Sequence, residues 1–180
     1  MIKLLINNGA STKSRTGIPH KSPMQLAAAG GHLCVMEELA KHGYDWKEKD
    51  DWGWTLLHEV AAAGNAEAIR WICSRTGCMK NVADKLGRTP LLTALIAGAG
   101  ADAIQELLEH GENIEIEDEV RRNAAEAAIL YCYLVVIQII LVATKKDSEI
   151  EIDIVTLLLI AEDHSQPNIM KKMIEDTILK

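Results

Sequence analysis

The 180-residue chain contains no phenylalanine, and its few tyrosines and tryptophans bring the aromatic content to only 4%. A β-sandwich draws on aromatic and β-branched residues for its core. Here the 48% hydrophobic fraction is carried by Leu, Ile, Val and Ala, which suit closely stacked helices. Cysteine is sparse too: Cys34, Cys73, Cys78 and Cys132 form no CxxC pair, and no histidine-rich segment stands at zinc-ligand spacing. Buried, reduced thiols are therefore expected, with no bound metal. A signal peptide is also missing, since Met1 to Ile6 runs directly into Asn7-Asn8-Gly9 instead of a longer apolar region. A reducing cytosolic or nuclear setting is the expectation.

A basic excess is lacking as well. The net charge is −7, and residues 1–49 stand at +3 while residues 50–180 stand at −10. Nucleic acid binding needs a basic stripe to neutralise phosphates, and the longer part of the chain has the opposite sign. Catalytic motifs fail in the same way. His58-Glu59-Val60-Ala61-Ala62 opens like a zinc-protease helix but has Ala62 where a second histidine would have to stand. No Ser-His-Asp grouping or phosphate-cradling glycine loop appears. The chain is expected to be no enzyme and to need no cofactor.

What the sequence does have is repetition. Gly9, Gly43, Gly77 and Gly111 lie 34 residues apart, each after apolar residues at helical spacing, such as Ile104, Leu107 and Leu108 before Gly111. They read as helix ends, because a chain leaving a helix through the left-handed region favours a residue without Cβ. A second series starts helices: Ser22-Pro23-Met24-Gln25-Leu26-Ala27-Ala28, Thr55-Leu56-Leu57-His58-Glu59-Val60-Ala61 and Thr89-Pro90-Leu91-Leu92-Thr93-Ala94-Leu95. Ser or Thr can cap the first free amides, and Pro just inside the helix loses only an N–H that had no partner.

These residues resemble the ankyrin repeat, whose signature is T-P-L-H-x-A in a period of about 33. Ala29-Gly30-Gly31-His32, Ala63-Gly64-Asn65 and Ala97-Gly98-Ala99 stand at the family's inter-helix turn. Asp50-Asp51-Trp52-Gly53-Trp54-Thr55 and Asp84-Lys85-Leu86-Gly87-Arg88-Thr89 look like its D-x-x-G-x-T finger. The resemblance implies an all-α solenoid of stacked antiparallel helix pairs with β-hairpin-like finger loops. It also implies that His58 bonds the backbone of the adjacent finger. His42 and His110, just before glycines of the first series, read as helix-end residues in a favourable dipole.

One domain is expected over residues 1–180: the second helix of a truncated repeat at 1–9, clear repeats at 22–43, 55–77 and 89–111, and degenerate ones at 123–143 and 156–175. In the fourth full unit Cys132 replaces the turn glycine and Lys145 stands where the series has Gly. A start in mid-repeat suggests upstream sequence, because a solenoid shields its ends with polar capping repeats. The apolar run 127–143 competes as a membrane span, but it falls short of about 20 residues. The repeat phase also puts a turn near Cys132, which favours a buried repeat over a membrane segment.

The implied function is a protein-interaction scaffold, monomeric or part of a longer chain, which binds a protein partner through finger loops and the concave face. The competing reading is the regulatory portion of a larger enzyme or membrane protein. Candidate partner-binding residues are Lys21, Asp51, Trp52, Trp54, Lys85, Leu86, Arg88, Val120, Arg122 and Tyr131. Trp52 and Trp54 stand out as interface anchors, although the pair could equally pack on each other, or on Tyr44 and Trp46, to stiffen the finger. Two acidic stretches, 112–119 and 147–154, alternate Ile with carboxylates in a strand-like way. They suit a partner with a basic patch or simply a solvated rim.

Overall fold

In the computed structural model the described residues are 20–76, 80–114 and 116–119, with Lys3, residues 8–11, Ser14, Arg15, Asn123, Ala124, Ala127 and Ala128. The expected site residues Val120, Arg122 and Tyr131 lie outside them. So do Gly77, Cys78, Cys132, the last expected repeat, most of the run 127–143 and the second acidic stretch.

Among the described residues six helices form three pairs: α1 (Pro23–Ala29) with α2 (Leu33–Ala40), α3 (Leu56–Ala62) with α4 (Ala66–Thr76), and α5 (Pro90–Ala97) with α6 (Ala101–Glu109). First helices pack on first helices, α1 on α3 and α3 on α5, while α4 packs on α6. This is the stacked all-α solenoid that the repeat implies, and no strand occurs among the described residues.

Each first helix starts as its sequence dictates. Ser22 and Gln25 close a reciprocal capping box (Ser22 N to Gln25 Oε1 3.0 Å, Gln25 N to Ser22 Oγ 3.4 Å). At α5, Thr89 Oγ1 accepts from the Leu92 amide at 3.2 Å. Asn65 caps α4 by accepting from the Ala68 amide at 2.9 Å, and its Nδ2 donates to the Gly31 carbonyl in the preceding repeat's turn. Gly43 and Gly111 leave their helices at φ 78 and 85, as the glycine series predicts.

Among the described residues the fully buried core is a continuous layer without aromatics, against which Tyr44, Trp46 and Trp71 pack partly buried. Met24, Met36, Leu56, Leu57, Ile69, Leu91, Leu92, Leu95, Ile104 and Leu107 are all essentially inaccessible. Alanines at 27, 28, 61, 68, 94 and 103 are buried between them and let the helices approach closely. At typical transfer values each large side chain contributes about 2 kcal/mol. That contribution is shared across repeat boundaries, since no pair can cover its own apolar face.

Cys73 is buried as expected, but Cys34 is exposed. It sits two residues before buried Met36 on α2, and two steps along a helix turn a side chain by roughly 200°. The strand-like reading of 112–119 also fails. Glu112 and Asp118 are buried along with Ile114, whereas Glu117 and Glu119 are exposed. The reason is that Glu112 is recruited by backbone: its Oε1 accepts from the Asn81 amide at 2.8 Å and its Oε2 from the Leu91 amide at 3.4 Å. Burial pushes the Glu112 carboxyl up to about 7, while those amides and nearby Lys80 pull it back.

Candidate functional site

The fingers precede the first helices, and the second and third are each held by one aspartate. Asp50 Oδ1 accepts from the Trp52 and Trp54 amides at 2.9 and 2.8 Å. Asp84 Oδ1 accepts from Leu86 and Arg88 at 2.8 and 2.9 Å. Both turns close through a glycine at positive φ, Gly53 at 83 and Gly87 at 74. The next finger then comes within a methyl group's reach: a Cβ on Gly53 would stand 3.0 Å from the Lys85 amide nitrogen, and one on Gly87 3.2 Å from Asp118 Cα. That closeness allows finger-to-finger hydrogen bonds, Lys85 N to Trp52 O at 2.9 Å and Glu119 N to Leu86 O at 3.0 Å.

Side chains from the first helices tie the same fingers from behind. Gln25 Nε2 donates to the Trp54 carbonyl at 3.2 Å, and His58 Nε2 donates to the Arg88 carbonyl at 3.0 Å. The role that the resemblance implied for His58 is thus present, and Gln25 performs it one repeat earlier. The His58 ring is inaccessible, and burial lowers its pKa to about 4.

Lys21, Trp54 and Arg88 occupy the same position in successive fingers, immediately before the capping residue, and they stack along the array. Lys21 Nζ and Arg88 Cζ lie 5.3 and 5.9 Å from the Trp54 ring. Trp54 also stacks on His58 at 6.1 Å and donates its indole N–H to Asp84 Oδ2 at 3.1 Å. That oxygen also receives Arg88 Nε at 2.8 Å. Burial alone would raise the Asp84 carboxyl, but the Arg88 side chain and the backbone amides outweigh it and hold it below the usual range. Trp54 and Arg88 therefore belong to the internal scaffold as much as to the surface.

Trp52 is different. It is 50% exposed, touching Trp54 edge-on at 5.9 Å with Lys21 Nζ 5.9 Å from its ring. The two indoles do pack on each other, but not on Tyr44 and Trp46. Those residues pair with each other at 5.5 Å, and Trp46 continues to Trp71 at 5.8 Å. Leu86, the counterpart of Trp52 in the next finger, is 49% exposed. Asp51 and Lys85 are exposed beside these tips, and Asp51 Oδ2 meets His20 Nδ1 at 2.5 Å. The structure thus brings Lys21, Asp51, Trp52, Trp54, Lys85, Leu86 and Arg88 together along two adjoining fingers and the edge of a third.

Three neighbours escaped the sequence reading. Leu26, 46% exposed, stands four residues after its capping Ser22, where α3 has Glu59 and α5 has Thr93. An apolar residue at that polar position was the available signal. Glu59 itself is buried and binds Lys21 Nζ at 2.8 Å. His20 takes the finger-glycine position at φ 40, a departure visible only once the repeats are aligned to Gly53 and Gly87.

Helix pairs stacked in register, with fingers joined by backbone hydrogen bonds, define a repeat solenoid. The family profile describing ankyrin repeats in three copies matches residues 1–84 and again 24–118, and the chain belongs to the ankyrin repeat family. Ankyrin repeats are in general protein-interaction modules. Among relatives, the chain is 28% identical over 109 residues to a transient receptor potential cation channel subfamily A member 1 homolog of Caenorhabditis elegans, covering 60% of this chain and 9% of that protein. It is 34% identical over 84 residues to protein phosphatase 1 regulatory subunit 12A of Mus musculus, covering 47% and 8%. With ankyrin repeat domain-containing protein 37 of Bos taurus it shares 32% over 68 residues, covering 38% and 43%. The match therefore spans less than half the length of each of these relatives. No helix among the described residues is long and apolar enough to cross a membrane.

Proposed function

We propose that this chain is a non-catalytic docking module that binds a protein partner across its fingers and first helices, with Trp52 and Leu86 as apolar anchors. Lys21, Asp51, Trp54, Lys85 and Arg88 surround the anchors, and Val120, Arg122 and Tyr131 extend the set expected from the sequence. One observation carries the reading: the large exposed apolar side chains among the described residues are Leu26, Trp52 and Leu86, and all three stand at fingertip or first-helix positions. Exposed apolar side chains gathered on one face mark interaction surfaces, and tryptophan is prominent among interface anchors. The module works in the cytosol or nucleus, as a monomer or within a longer chain, without cofactor.

The test is a dissociation constant for a purified partner recovered with the wild-type chain. Trp52→Ala is expected to weaken binding by about 2 kcal/mol, whereas Lys41→Ala, an exposed residue at the end of α2, leaves it unchanged. Equal affinities for wild type and Trp52→Ala, with both folded, refute the reading. A second reading, a regulatory portion of a larger protein, draws on the 8% and 9% shares of two relatives. Recovery of the complete transcript decides it.

A further inference from the structure

The first and second fingers meet around one positive charge. The ammonium of Lys21 lies 5.3 Å from the Trp54 ring centroid and 5.9 Å from that of Trp52, and the two indole planes stand 70° apart. Beneath it is the Glu59 carboxylate at 2.8 Å, with a side chain 1% exposed. Two π faces at an angle above a buried carboxylate attract an ammonium in two ways, through the ring quadrupoles and through a charge-assisted hydrogen bond. Burial raises the Glu59 carboxyl and Lys21 pulls it back, so the floor of this angle depends on having a cation above it.

Stacking of the repeats does not depend on Lys21. The Gln25 bond to the Trp54 carbonyl joins the same two repeats independently, and the next inter-finger joint is held without any lysine ammonium, by the Lys85 N to Trp52 O backbone bond and the Trp54 indole bond to Asp84. Lys21 also follows His20, a residue with Cβ held at φ 40 where the later fingers have glycine. The cation is thus supplied from a turn at a finger edge that holds a non-glycine residue in the left-handed region.

We propose that the angle between Trp52, Trp54 and Glu59 is a binding site for a lysine side chain of a partner protein, occupied in cis by Lys21 and vacated when the partner's ammonium replaces it. The proposal rests on the fingers being the docking face. It specifies what the partner presents there: a lysine for the angle, next to an apolar residue for the exposed edge of Trp52. Because the internal lysine competes, the site is available to the partner only for the fraction of time that Lys21 is out. Removing Lys21 therefore increases affinity for ammonium ligands, whereas losing a mere contact residue would decrease it.

The experiment uses the full chain with Lys21→Ala and titrates n-butylammonium chloride, reading tryptophan fluorescence and melting temperature. Sodium chloride at equal ionic strength and n-butanol serve as controls. The expected result is a saturable response in Lys21→Ala, displaced to about tenfold higher concentration in wild type, a difference of about 1.4 kcal/mol, and absent in Lys21→Ala/Trp52→Ala. A folded Lys21→Ala that responds no differently to n-butylammonium than to sodium overturns the proposal. Should Lys21→Ala not fold, Lys21→Ala/Glu59→Gln, which vacates the angle and leaves no unpaired buried carboxylate, is titrated with tetramethylammonium. That cation needs only the indoles, so saturation supports the site and its absence overturns it. A partner that loses affinity with Trp52→Ala while Lys21→Ala ignores n-butylammonium leaves the docking face standing and removes the lysine site.

Discussion

His58 Nε2 lies 3.0 Å from the carbonyl oxygen of Arg88, thirty residues further along the chain, while its Nδ1 lies 2.9 Å from Thr55 Oγ1 and 3.2 Å from the Thr55 amide nitrogen. A carbonyl only accepts, so Nε2 carries the proton. Nδ1 then accepts from Thr55, and the ring is neutral with one defined tautomer. A single side chain thereby caps its own helix and fastens the next finger.

This arrangement makes stability depend on pH in a known direction. The folded pKa of His58 is lowered from 6.5 to about 4 by burial, so between those values the unfolded chain takes up a proton that the folded chain refuses. The contribution is complete above pH 6.5 and is lost as pH falls through about 4, amounting to about 3 kcal/mol over the window. His58→Gln reproduces what Gln25 does one repeat earlier, without titrating. It is expected to stay within about 1 kcal/mol of wild type at pH 7 and to remove most of the rise between pH 4 and 6.5. Urea unfolding curves across that range measure both effects.

Glu112 acts in the opposite sense. Burial raises its carboxyl from 4.5 to about 7, so across that interval the folded chain holds a proton that the unfolded chain releases. Its contribution is complete below pH 4.5 and is lost as pH rises through 7. In wild type the two residues partly cancel, giving a shallow profile between pH 4.5 and 6.5. Glu112→Gln is expected to steepen the rise of stability with pH in that interval, by about 1 to 3 kcal/mol across it. A profile parallel to wild type would show that Glu112 is ionised in the fold throughout.

Helix starts, turn glycines and finger aspartates were legible in the sequence because they answer local demands: Ser22 and Thr89 cap amides within three residues, and Gly53 permits a φ that no nearby side chain would. The bond from His58 to Arg88 was legible only through the repeat, which places equivalent residues one period apart. Contacts set by how one repeat seats on the next were not legible. Nothing local to Trp54 indicates that its indole N–H ends on Asp84, nor does anything near Glu59 announce a lysine thirty-eight residues earlier. Glu112 read as a solvated acid because its alternation with Ile gives no sign that two backbone amides are waiting for it.

A helix-end glycine and a finger glycine allow a comparison of two costs. Gly43 and Gly53 have similar φ, 78 and 83, but a Cβ on Gly43 meets nothing within 4 Å while one on Gly53 meets the Lys85 amide nitrogen at 3.0 Å. Gly43→Ala is expected to cost about 1 kcal/mol, the backbone penalty alone. Gly53→Ala adds displacement of the third finger and loss of the Lys85 to Trp52 bond, for about 2 to 3 kcal/mol in total. Equal melting temperatures for the two variants would mean that the fingers separate without cost.

Trp52 and Trp54 stand on either side of Gly53 in one finger, yet alanine at each should act on different properties. Trp54 is committed inward through Asp84, His58 and the cations of Lys21 and Arg88. Trp54→Ala removes one of the donors on a buried carboxylate along with a large packed ring, and it is expected to cost about 3 kcal/mol of stability. Trp52 has half its surface in water, and its loss is expected to cost under about 1 kcal/mol. Binding reverses the order once stability is accounted for: below the melting range of both variants, Trp52→Ala loses partner affinity, while Trp54→Ala loses less for each molecule that remains folded. Thermal unfolding and partner titration on the same two samples separate the roles. If Trp52→Ala proves the more destabilising of the pair, its indole stiffens the finger and the anchor must be sought at Leu86 or Leu26.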